Sequence, residues 1–143
     1  TKAENADKYT SAEALSGATV VAEKKSAGEE VAQSDDFFKQ ATYVSVDSQA
    51  KALLEVKSGT ADIAVIDYVM SIGTLKDGSD YSNLSVIEDK SFAPEQYGVA
   101  LRKDSTETLA KLDDAMQALA DNGELEKIAD KYNLKDLLLI KAK

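Results

Sequence analysis

Apolar residues in this chain fall in short β-branched runs, separated by longer segments in which they recur every three or four positions. This alternation of strands and helices builds a mainly parallel sheet. Thr19-Val20-Val21-Ala22 is the first run, and a helix is expected over residues 28–40, where Val31, Phe37 and Phe38 stand among acidic and amide residues. Tyr43-Val44-Ser45-Val46 is the next strand. Asp47 or Ser48 can cap a helix carrying Ala50, Leu53, Leu54 and Val56, which Ser58-Gly59 ends. Residues 61–67 read as a buried strand with a carboxylate, Asp67, where the apolar run stops; Met70, Ile72 and Leu75 mark a helix after it. Leu84–Ile87 and Tyr97–Leu101 complete a series of five strands. Upstream, Thr10 and Glu13 have capping-box spacing, so a one-turn helix is expected over residues 11–16, stopped by Gly17.

The last third is helical. Leu109, Leu112, Met116 and Leu119 form a stripe expected to face a core, with Asp104 or Ser105 as cap and Asn122-Gly123 as stop. A second helix carries Leu125, Ile128 and Tyr132, and the apolar tail 134–140 is expected to pack on something.

Composition narrows the functions this α/β chain can have. Its 143 residues, 43% hydrophobic and 30% charged with one proline, support one ordinary domain and argue against disorder. The net charge of −9, with no sustained basic face, excludes nucleic acid as an expected partner. Cysteine and histidine are absent, which removes disulfides, thiolate metal sites and histidine-dependent nucleophile systems; no metal or cofactor is expected. No run approaches the ~18 apolar residues of a membrane span. The opening at Thr1, without methionine or a leader pattern, is consistent with a processed or truncated product.

Two places carry candidate chemistry. Ser26-Ala27-Gly28 opens a helix, where unpaired N–H groups and the positive end of the helix dipole favour a carboxylate, and Ser26 adds a hydroxyl; on local sequence alone the same serine reads first as a plain N-cap. Asp67 lies at the C-terminal end of a strand, where open α/β sheets place ligand clefts; it reads either as a partner for an ammonium group or as a helix cap.

In order and spacing, five segments resemble the second half of a type 3 extracellular solute-binding protein, the receptor of polar amino-acid ABC importers. They are residues 15–21 (LSGATVV), 26–29 (SAGE), 57–67 (KSGTADIAVID), 97–103 (YGVALRK) and 122–132 (NGELEKIADKY). The resemblance implies a periplasmic-binding-protein type II-like lobe, with a mainly parallel sheet flanked by helices and with C-terminal helices. Residues 1–95 would be the second ligand-binding lobe, and 96–143 the return strand and terminal helices of an incomplete first lobe. It further implies that Ser26 and the N–H of Ala27 touch a ligand α-carboxylate, that Asp67 holds the α-ammonium, and that Glu23 contacts the side chain, favouring a cationic or donor-bearing ligand. Asp62 resembles the family's structural aspartate and stays outside the site.

The partners so implied are a free amino acid and the membrane permease of an ABC importer, with no catalysis, in an extracytoplasmic location: the periplasm, or the cell surface as a lipoprotein in a Gram-positive bacterium. A receptor sensor domain and a cyclohexadienyl-type dehydratase on the same fold are the alternatives, the latter with Asp67 or Glu23 as its acid or base. With the opening part of the first lobe missing, the apolar helices are expected to pack on the second lobe, dimerise or exchange between copies.

Overall fold

The computed structural model describes residues 1–87, 90–92 and 94–143. They form two compact units, Thr1–Pro94 and Glu95–Lys143.

The first unit is a three-stranded parallel sheet in the order β2-β1-β3, with β1 at Thr19–Glu23, β2 at Thr42–Val46 and β3 at Ile63–Val65. Helix α1 (Ala27–Ser34) links β1 to β2, and α2 (Gln49–Ser58) links β2 to β3. The chain moves to one side of β1 and then to the other, so right-handed crossovers put α1 and α2 on opposite faces. The period of two in β1 matches this arrangement. Val20 points into a cluster with Tyr9, Leu15, Ala18, Ala32, Phe38 and Ile63. Val21 points into another with Ala52, Leu53, Val56, Ala61 and Leu84. Central β1 is therefore buried on both faces, while edge strand β2 leaves Val44 45% exposed.

Asp62 fastens the start of β1. Its carboxylate accepts from the Tyr9 hydroxyl at 2.8 Å and from the Thr19 N–H at 2.8 Å, and its own N–H donates to the Thr19 carbonyl. Helix α2 ends at Gly59, whose φ of 84° closes the helix onto the Glu55 and Val56 carbonyls.

Several expected elements differ. The helix over 28–40 stops at Ser34, because the Asp35 side chain accepts from the Phe37 N–H at 2.9 Å and starts a separate 3-10 turn, Asp36–Phe38. That turn stacks Phe37 and Phe38 on Phe92. The helix over 11–16 is a 3-10 turn, Glu13–Leu15, with Ser11 rather than Thr10 beside its first N–H groups. The Leu84–Ile87 strand reduces to one antiparallel bridge, Lys2 to Leu84. Residues 97–101 form no strand, and Tyr97 and Val99 are exposed. A strand needs a neighbour to satisfy its backbone, and among the described residues none pairs with this segment.

The second unit contains α4 (Thr106–Asp121) and α5 (Glu124–Lys131), followed by a 3-10 turn at Lys135–Leu137. The expected stripe on α4 is not a core here: Leu109 is 45% and Leu119 36% exposed, and Leu112 and Met116 are half-buried. Two helices and a tail offer too little surface to cover it.

Candidate functional site

Because all three strands run parallel, their C-terminal ends share one edge of the sheet, and the turns after β1 and β3 meet there. Chain direction reverses about β1, so the crevice between the ends of β1 and β3 is the topological switch point where such sheets bind ligands. Glu23 ends β1, Ser26 caps α1, and Asp67 follows β3 and caps α3 (Tyr68–Thr74). All three are half-buried, as is Ala27. The fold thus brings the four expected site residues to one edge.

The two turns approach closely. A Cβ on Gly28 would lie 2.8 Å from the Val65 carbonyl oxygen, so only glycine lets the start of α1 sit against the end of β3.

Hydrogen bonding in the β1–α1 turn is nearly complete. The Lys24 N–H donates to the Val46 carbonyl at 2.8 Å, the Lys25 N–H to the Glu29 carboxylate at 2.6 Å, and the Ser26 N–H to the Glu23 carbonyl at 3.2 Å. The Glu29 and Glu30 N–H groups go to the hydroxyl and carbonyl of Ser26. Among the described residues, the N–H groups of Ala27 and Gly28 donate to nothing, and they sit at the positive end of the helix dipole. The Ser26 hydroxyl is occupied as a cap, donating to the Glu23 carbonyl at 2.7 Å and accepting from Glu29. Its proton must turn away from Glu23 to reach a ligand.

Asp67 likewise serves as a cap, accepting from the Met70 N–H at 2.8 Å, while its own N–H donates to the Gln49 side chain at 2.9 Å. Gln49 therefore ties the turn after β3 to α2. At 18 residues' separation, no local pattern in the sequence pointed to it.

Glu29 and Tyr43 also escaped the sequence reading. The Glu29 carboxylate takes the Lys25 N–H on one oxygen and the Tyr43 hydroxyl, at 2.9 Å, on the other. These donors, the Lys25 amide first, hold its carboxyl below the usual value. Burial, first, pushes the Tyr43 hydroxyl up. The signal for Glu29 was present: Ser26 and Glu29 have capping-box spacing.

No protein-family model matches the chain. Over 78 residues it is 36% identical to the arginine-binding extracellular protein ArtP of Bacillus subtilis (strain 168), an alignment covering 54% of the chain and 30% of ArtP. A substrate-binding protein of an amino acid ABC transporter, AbpA from Streptococcus pneumoniae, solved with L-arginine bound, superposes with a TM-score of 0.71. It is 27% identical, over 94% of this chain and 56% of AbpA. The chain is similar, in sequence and in fold, to amino-acid ABC transporter substrate-binding proteins. A mutant of ArgBP from T. maritima (TM-score 0.68, 26% identity, 92% of this chain, 54% of that one) has the same fold. So does an ancestral cationic amino acid solute binding protein (0.69, 28%, 92% and 55%). These relatives are binding proteins with the type II periplasmic-binding fold, and the chain spans little more than half of each of these three solved structures.

Proposed function

We propose that residues 1–95 are the second lobe, and residues 96–143 the return segment of the first, of a two-lobed protein that captures a cationic amino acid, arginine foremost, for an ABC importer. The carrying observation is the pair of N–H groups at Ala27 and Gly28 that donate to nothing among the described residues, on the same sheet edge as the Asp67 carboxylate. An amino acid has a carboxylate for the first and an ammonium for the second. Glu23, at the end of β1, adds a negative charge suited to a guanidinium or side-chain ammonium. Relatives named for arginine or for cationic amino acids, and one solved with L-arginine bound, support that choice. The lobe binds without catalysing, and its work is extracytoplasmic, in the periplasm or at a Gram-positive cell surface as a lipoprotein, beside its permease. The exposed α4 stripe is the surface that the rest of the first lobe covers; in a chain lacking that part it favours a homodimer or an exchange of helices between copies.

Calorimetric titration of the two-lobed protein tests this reading. L-arginine should bind in the roughly micromolar range or tighter, L-lysine more weakly, and L-glutamate not at all. Asp67→Ala should abolish arginine binding. Equal affinity for glutamate and arginine, or an unaffected Asp67→Ala variant, would contradict the assignment.

A further inference from the structure

Lys25 has a φ of 64°, one of two non-glycine residues in the left-handed region among those described. An L-residue there brings its Cβ too close to backbone carbonyl oxygen, so something must hold it. In an ordinary capping box, the carboxylate three residues after the cap returns to the cap's own N–H. Here the Ser26 N–H is already given to the Glu23 carbonyl, and Glu29 reaches one residue further, to the Lys25 N–H at 2.6 Å. The second Glu29 oxygen is anchored by the Tyr43 hydroxyl on edge strand β2. One carboxylate therefore ties the β1–α1 turn, helix α1 and strand β2 together, and it does so two and one residues from the undonated N–H groups of Ala27 and Gly28.

Taking the edge of the sheet as the ligand site proposed above, we infer that Glu29, braced by Tyr43, is a positioning residue. It holds Lys25 left-handed and so aims the Ala27 and Gly28 N–H groups at the ligand carboxylate. Glu29 does not touch the ligand, since both oxygens are engaged within the lobe. Its effect is to remove the conformational freedom that binding would otherwise have to remove.

The distinguishing test is rescue by glycine. Glu29→Gln in the two-lobed protein exchanges the ionic acceptor for a neutral one, and L-arginine affinity by calorimetry should fall roughly tenfold. Adding Lys25→Gly, which makes the left-handed turn easy without any carboxylate, should return affinity to within about threefold of the starting protein. A merely structural role for Glu29 would show as lost stability in urea unfolding with the affinity of the folded protein unchanged, so both are measured on each variant. Tyr43→Phe should give a smaller loss in the same direction. Unchanged affinity in Glu29→Gln, or a loss that Lys25→Gly does not repair, overturns the inference while leaving the ligand site standing. Arginine binding that ignores both Ser26→Ala and Asp67→Ala removes the site itself, and the inference with it.

Discussion

Substituting Gly28 with alanine probes the contact that brings the two halves of the crevice together. The added Cβ would stand 2.8 Å from the Val65 carbonyl oxygen, with the Ser26 hydroxyl oxygen and the Val65 carbonyl carbon each at 3.4 Å. The obstacle is backbone in the last residue of β3, so no side chain can swing aside. Helix α1 must retreat by about half an ångström to restore an ordinary contact. Overpacking of this kind costs about 1–3 kcal/mol, against a helix-propensity gain of at most ~1 kcal/mol. The net expectation is a loss of about 1 kcal/mol, or roughly 4–8 °C in the melting temperature of a unit this size. Gly73 is the internal control: it lies in α3, is exposed, and its Cβ would meet nothing within 4 Å, so Gly73→Ala should stabilise by up to ~1 kcal/mol. Circular dichroism during urea and thermal unfolding reads both, and arginine affinity should fall in Gly28→Ala alone. A Gly28→Ala variant as stable as Gly73→Ala would refute the close approach.

Other expectations follow from the same geometry. Lys25→Gly should stabilise by up to ~1 kcal/mol in urea unfolding, since relief of left-handed strain exceeds the added chain entropy. Tyr9→Phe should destabilise by about 1–3 kcal/mol, because it removes a buried hydroxyl that donates to the Asp62 carboxylate. The Glu29 carboxyl is held below its ordinary 4.5 in the folded chain, so the unfolded state takes up its proton first on acidification. Its stabilisation is full above that value and is lost as pH falls through the lower folded one; Glu29→Gln should flatten that part of the stability–pH curve. If residues 1–95 are one of two lobes, as proposed, the 143-residue chain alone should bind L-arginine weakly or not at all, because a single lobe cannot close on a ligand. Submillimolar calorimetric binding that Asp67→Ala abolishes would contradict this.

The elements that could be read from the sequence are those whose signals are local. Strand β1 and helix α2 carry their own apolar period and caps, and Asp67 stands where the β3 run stops, so the edge bearing Ser26, Ala27, Asp67 and Glu23 was visible in outline. What could not be read depends on partners distant in the chain. Residues 84–87 and 97–101 have strand composition, but no neighbouring strand pairs with them among the described residues. The α4 stripe has core spacing but is exposed in its unit. The Asp35 side chain ended α1 early by a local hydrogen bond that competed with apolar periodicity and won. At the site, local sequence showed Ser26 and Asp67 as either caps or ligand contacts. The structure shows both as caps, with the undonated N–H groups one and two residues beyond Ser26. Gln49 reaches Asp67, and Tyr43 reaches Glu29, through contacts that only the fold creates.

A crystal structure of the two-lobed protein grown with L-arginine would show directly whether the ends of β1 and β3 hold the ligand. The α-carboxylate should lie within hydrogen-bond distance of the Ala27 and Gly28 N–H groups, with the Ser26 hydroxyl turned toward it. The α-ammonium should lie on Asp67, and the guanidinium on the Glu23 side. Arginine bound away from the ends of β1 and β3, or reversed so that its guanidinium meets Asp67, would contradict it.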